Sequence, residues 1–123
     1  MTTSLVRGLA SQPSALLHES DELVIARSYQ ALGIKSVRVE ILRYILSNGE
    51  TCASDLMREF GLSRNGVLAH LRALTTAGLL HERHDTHPRG SGPITYWRAD
   101  LEDASVVLDT LVDYVLTTTS GAA

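Results

Sequence analysis

Cysteine is nearly absent: Cys52 is the only one among 123 residues, so no internal disulfide can form and a reducing compartment is expected. Long apolar runs are missing too. Nothing approaches the roughly 18–20 consecutive apolar residues that span a bilayer, which argues against membrane association. The segment Met1–Ala10 holds one arginine and no extended apolar stretch, so no secretory leader is expected and the chain reads as cytoplasmic. No internal repeat or low-complexity tract is visible. There is no phosphate-cradling glycine loop, no nucleophile elbow and no metalloprotease helix motif, so the chain is not expected to be an enzyme, nor to carry a cofactor.

The length allows about one domain with a single modest core. The net charge of −3 is mildly unfavourable to nucleic acid, yet its distribution is uneven. Between Gly33 and Arg98 lie Lys35, Arg38, Arg43, Arg58, Arg64, Arg72, Arg83, Arg89 and Arg98, against Glu40, Glu50, Asp55, Glu59, Glu82 and Asp85. From Asp100 onward there are Asp100, Glu102, Asp103, Asp109 and Asp113 and no Lys or Arg. A basic middle followed by an acidic tail fits a DNA reader with a separate helical interface.

The densest signal runs from Asp55 to Leu80. It predicts a short helix, a tight turn at Gly61, and a second helix that stops at a glycine. Ser63 stands at an N-cap position, where its hydroxyl can accept from a free N–H of the first turn. Val67, Leu71 and Leu74 form one apolar stripe. Arg64, Asn65, Leu68 and Arg72 are expected on the opposite face. Ala77-Gly78 ends the helix with the residue that best tolerates a left-handed conformation.

Elsewhere, residues 1–20 read as flexible or partly helical and 120–123 as a tail, leaving 21–119 as the domain. An amphipathic segment runs from Asp21 to Gly33, and a helix from about Ser36 to Ser47 stops at Asn48-Gly49. Thr51–Phe60 reads as the first helix of the pair, burying Ala53, Leu56, Met57 and Phe60. Leu79–Asp85 and Ile94–Ala99 are expected to pair as antiparallel strands around the Gly/Pro-rich Thr86–Pro93. Helical periodicity returns over Leu101–Thr119. The expected fold is mainly α with a small antiparallel β-hairpin wing, in the order α-α-α-α-β-β-α.

The stretch LSRNGVLAHLRALTTAGLL (Leu62–Leu80) resembles the ArsR-type winged helix-turn-helix repressors. It follows that family's Ser-x-x-x-Val-x-x-His-Leu-x-x-Leu-x-x-Ala-Gly-Leu pattern. The later GSGPITYWRAD is similar to the family's second wing strand, and the likeness extends over about Ala31–Val115. It implies a dimeric repressor that binds a palindromic operator in double-stranded DNA.

On that reading Arg64 and Asn65, on the first turn of the recognition helix, are placed for bidentate contacts to guanine and adenine, each worth roughly 1–3 kcal/mol of discrimination. Gly66 would permit close approach to the groove, and Leu68 would meet a thymine methyl. His70 and Arg72 suit phosphates, and Arg89 at the wing tip the flanking minor groove. On the last helix Val106, Tyr114 and Leu116 lie off the stripe of Leu108, Leu111 and Val115, an apolar breadth that marks a partner surface, with Asp109 and Asp113 left as a polar flank. The resemblance implies a homodimer through the first and last helices, with Leu23, Leu108, Leu111, Val112 and Val115 as contacts.

The family's thiolate metal site is a Cys-x-Cys ahead of Asp-Leu. Here that place reads Cys52-Ala53-Ser54-Asp55-Leu56, with serine replacing the second thiolate. The family's other site uses Asp and His on the last helix, and Leu101–Ala123 contains no His. His81, His84 and His87 recur every third residue, but on a strand His81 and His84 face opposite ways. No metal is therefore expected. Cys52 as a redox switch stands against a small side chain held in the core. Two further readings stay open. One is a winged-helix interaction module, or a plasmid-partition or replication adaptor, that is not a transcriptional regulator. The other is an inducer site for a small organic molecule near Tyr29, Tyr44 or Trp97.

Overall fold

In the computed structural model of the protein, residues 19–86, 90 and 92–117 are described. In chain order they form α1 (Glu19–Leu32), α2 (Ser36–Asn48), β1 (Thr51–Cys52), α3 (Ala53–Phe60), α4 (Arg64–Thr76), β2 (His81–Thr86), β3 (Pro93–Arg98) and α5 (Leu101–Leu116). Two units result: Lys35–Asp100, and the flanking segments to which α1 and α5 belong. The expectations for residues 1–18, His87, Arg89 and the 120–123 tail fall outside the described residues.

In the unit Lys35–Asp100, helical spacing on α2 turns Ile41, Leu42 and Ile45 inward. They meet Ala53 and Leu56 of α3, Val67, Leu71 and Leu74 of α4, then Leu80 and Trp97. Ile41, Ile45, Leu56, Val67 and Leu71 are wholly shielded from solvent. Burying a side chain of this kind contributes about 1.5–3 kcal/mol, so this one cluster supplies most of the drive to fold the unit. Met57 and Phe60, expected in the core, are half-buried against its edge.

Between α3 and α4 the chain must reverse within three residues. Gly61 does so at φ 64°, its N–H still donating to Met57 O at 2.9 Å. An L side chain is disfavoured in that left-handed region.

Thr51 and Cys52 depart from the expected helix. They form a strand pairing antiparallel with β3, Thr51 opposite Trp97 and Cys52 opposite Tyr96. The wing is thus a three-stranded sheet in the order β1-β3-β2, not a bare hairpin. The physical cause lies at the start of α3. Cys52 is the N-cap, extended at φ −115° and ψ 170°, so α3 begins only at Ala53. The β-branched Thr51 is buried, its hydroxyl donating to Asp55 Oδ2 at 3.3 Å.

Strand β2 also begins later than the apolar pattern implies. The N–H groups of Leu79 and Leu80 both point back to Leu74 O, closing the end of α4, so the ladder starts at His81, opposite Arg98.

On α5, Ala104 is buried and Ser105, Val107, Leu108 and Val112 are half-buried, and Asp109 beside them is buried rather than part of a polar flank. The turn of the helix carries residue 109 round to the face of 105 and 108. Leu111, Val115, Val106, Tyr114 and Leu116 are exposed, as are Leu23, Val24 and Leu32 of α1. Among the described residues no helix is long and apolar enough to cross a membrane.

Candidate nucleic-acid interface

The geometry of α4 begins with its cap. Ser63 Oγ accepts from Gly66 N at 3.1 Å, satisfying one of the free N–H groups of the first turn. Gly66 has a reason to be glycine that the sequence did not reveal: a Cβ there would press on Ser63 Oγ at 3.2 Å. Its lack of a side chain keeps the cap seated, whatever it also permits at the groove.

Arg64 and Asn65 occupy the first turn and are exposed, as is Arg72 two turns on. Asn65, Ala69, Arg72 and Thr76 recur at intervals of four, three and four, all exposed, and so define the outward face. Ala69 belongs to that face and sequence reasoning passed it over. Leu68 was expected there, but it is half-buried against the core beside Val67 and Leu71. Greasy residues adjacent to the buried stripe are drawn toward it, and an alanine on the opposite side carries no such pull.

From the sequence His70 suits a phosphate contact. It is half-buried and engaged: Arg38 Nε donates to His70 Nδ1 at 3.0 Å, joining α2 to the flank of α4. Because the arginine nitrogen is always a donor, Nδ1 is the acceptor and the ring proton sits on Nε2. Burial, then the charges of Arg38 and Lys35, hold the imidazole below its ordinary range.

Carboxylate pairing divides the basic side chains of Lys35–Asp100 into two groups. Arg43 meets Glu40 at 3.4 Å, Arg58 meets Asp55, Arg83 meets Glu50 and Asp85, and Arg98 meets Asp100 at 2.9 Å. Lys35, Arg38, Arg64 and Arg72 have no carboxylate partner among the described residues. The four unneutralised cations all lie on α4 or at the start of α2. Half of the described cations of the basic middle are thus cancelled locally, and the uncancelled half is gathered on α4 and the start of α2.

The wing is braced by Arg83. Its guanidinium grips Glu50 through two hydrogen bonds of 2.9 and 2.8 Å, reaches Asp85, and lies 4.7 Å from the centre of the Tyr96 ring. Hydrogen bonding from Arg83 holds Glu50 and Asp85 below the usual carboxylate range. His84 is engaged on both ring nitrogens, with Thr95 Oγ1 at 3.1 Å and Glu82 Oε2 at 3.3 Å. Arg89, expected to reach the minor groove, is not among the described residues.

Cys52 Sγ and Ser54 Oγ lie 3.3 Å apart, so the two positions of the family's thiolate pair converge here. A hydroxyl is a weak, neutral, hard donor, and the pair does not fit a thiophilic metal ion. Asp55 is pushed up by partial burial, but hydrogen bonds from Cys52 and Arg58 outweigh this and hold it below its usual range. Of the aromatics considered for an inducer, Trp97 is in the core and Tyr44 packs edge-on to Phe60, with ring centres 5.8 Å apart. Both are occupied by packing. Tyr29 is half-buried on α1.

A helix-turn-helix followed by an antiparallel sheet of this connectivity is a winged helix-turn-helix. Residues 35–82 match the family model described as bacterial regulatory protein, arsR family. Two solved structures share the fold. The transcriptional regulator homologue from Pyrococcus horikoshii OT3 is 21% identical, the match covering 67% of this chain and 82% of that one, with a TM-score of 0.51. A PadR family transcriptional regulator from Eggerthella lenta DSM 2243 is 16% identical, covering 80% of this chain and 89% of that one, also at 0.51. No curated protein matches the chain significantly.

Proposed function

We propose that this protein is a cytoplasmic, homodimeric transcriptional repressor that binds an imperfect palindrome in double-stranded DNA, of ArsR type but without the thiolate metal site. The observation that carries the reading is a Ser63-capped α4 bearing Arg64, Asn65 and Arg72, exposed and with no carboxylate to neutralise the arginines. Arg64 and Asn65 read base edges near the capped end, and Ala69 takes the thymine-methyl role first given to Leu68. Arg72 and the wing residue Arg89 hold the backbone and the flanking groove. Ser63 and Gly66 act by fixing the first turn.

Dimerisation is supported by apolar side chains left exposed on α1 and α5. Leu23 is 53% exposed, Leu111 52%, Val115 54% and Tyr114 81%. Leu108 and Val112 line the same interface. Two copies related by a twofold axis would present two recognition helices about one DNA turn apart, roughly 34–36 Å.

Selection of binding sites from random duplex DNA, followed by footprinting, tests the reading. A palindromic consensus whose binding Arg64→Ala weakens, with preference relaxed at one base position per half-site, is the expected result. Absence of any selected sequence, or an Arg64→Ala variant with unaltered preference, would overturn it. Leu111→Asp should yield a monomer in sedimentation and lose the palindromic complex.

A further inference from the structure

Arg38 and Lys35 lie outside the recognition helix, yet Arg38 bonds His70 on its flank and Lys35 is near enough for its charge to act on that imidazole, and this cluster of bases has no acid to balance it. Bringing cations together without a counter-ion is unfavourable in the isolated chain. Every other arginine described between residues 35 and 100, save Arg64 and Arg72 on α4 itself, has a carboxylate at hand. The first turn of α2 carries no acid either. The imbalance marks a place where an anion belongs.

Geometry identifies the anion. A helix about 10–12 Å across fills a major groove about 12 Å wide, so its flanks face the phosphate strands rather than the bases. His70 is on such a flank, turned away from the outward row of Asn65, Ala69, Arg72 and Thr76. Arg38 uses only its Nε–H on His70, and its four remaining N–H donors have no partner among the described residues. A planar guanidinium held at one corner presents the other edge as a fork that suits a phosphate.

We infer that Arg38, oriented by the hydrogen bond to His70 and assisted by Lys35, is a clamp for a DNA backbone phosphate beside the recognition helix. The inference rests on the DNA-binding reading above and names a contact that reading lacks. It also changes the role of His70, which acts as a positioning residue: it orients Arg38 and does not itself meet the phosphate.

The test measures affinity against salt for the full chain, on the selected duplex and on one of scrambled sequence. Arg38→Gln and Lys35→Gln should each weaken both duplexes by the same factor. Each lost phosphate contact removes about 0.9 from the slope of log affinity against log salt, so the wild-type to variant affinity ratio shrinks about three- to fourfold between roughly 50 and 200 mM. At a pH where His70 is neutral, His70→Ala should lower affinity while leaving preference intact. His70→Asn, which keeps an acceptor near the Nδ1 position, should restore it.

Variants at 35 and 38 that bind with the wild-type salt slope would overturn the clamp while leaving the DNA-binding reading standing. A wild-type chain that binds neither duplex would overturn both. Should Arg38→Gln fail to fold, the exposed Lys35 decides the matter alone.

Discussion

Arg83 on β2 holds Glu50, thirty-three residues earlier, through a two-pronged pair: Nε to Oε2 at 2.9 Å and Nη2 to Oε1 at 2.8 Å. Glu50 sits in the turn between α2 and β1, so the pair ties the far strand of the wing to the body of the helix-turn-helix. Both partners are open to water, which limits the contribution to overall stability. Glu50→Gln is therefore expected to leave the unfolding midpoint nearly unchanged. It should speed amide hydrogen exchange in β2, and high salt should produce the same effect in the wild type. Unaltered exchange in the variant would show that the ladder with β3 alone fixes the wing.

Removing the cap tests whether α4 needs Ser63. Ser63→Ala should cost about 1 kcal/mol in urea unfolding, the usual worth of such a hydroxyl. A Cβ at residue 66 would press on that same hydroxyl. In the Ser63→Ala background the clash is gone, and Gly66→Ala should then gain from helix propensity, by up to about 1 kcal/mol. In the wild-type background the gain should be smaller or reversed. Additive effects in this double-mutant cycle would disprove the contact.

His70 makes stability depend on pH with a definite sign. Folding favours its neutral form, because of burial and the nearby charges of Arg38 and Lys35. The contribution is therefore complete above the ordinary imidazole value of about 6.5 and is lost as pH falls through the lowered folded value. Chemical denaturation between about pH 7 and 5 should show this decline, and His70→Asn should flatten it. A variant whose stability falls as steeply as the wild type's would place the titration elsewhere.

Leu71 lies at the centre of the core, shielded completely and surrounded by α2, α3 and β3 side chains. Leu71→Ala should cost about 2–5 kcal/mol, a large share of the stability of a domain this size. Arg72→Ala, one residue along and exposed, should stay within about 0.5 kcal/mol of the wild type. Thermal unfolding of the two variants separates packing from surface charge; similar losses would contradict the assigned faces of α4.

The capped, glycine-terminated α4 was legible because its determinants are local. Ser63, the stripe of Val67, Leu71 and Leu74, and Gly78 at φ 84° all act within a few turns of one helix. The same holds for Asn48-Gly49 and for the Gly61 turn. Strand β1 was not legible. Two residues carry no periodicity, and Thr51-Cys52 becomes a strand because Trp97 and Tyr96, far along the chain, supply its hydrogen-bonding partners.

The site divides the same way. Residue types alone placed Arg64, Asn65 and Arg72 on an exposed face, since the helical repeat dictates which positions turn outward. Which cations stay unneutralised was a tertiary outcome. Arg83 finds Glu50 and Arg38 finds His70 only after α2, α4 and β2 have packed. The sequence by itself determined a winged helix-turn-helix and the exposed face of its capped second helix, through short-range capping and periodicity. Only the folded chain decided where its positive charge remains uncompensated, because Coulombic pairing depends on distance in space and not on order along the chain.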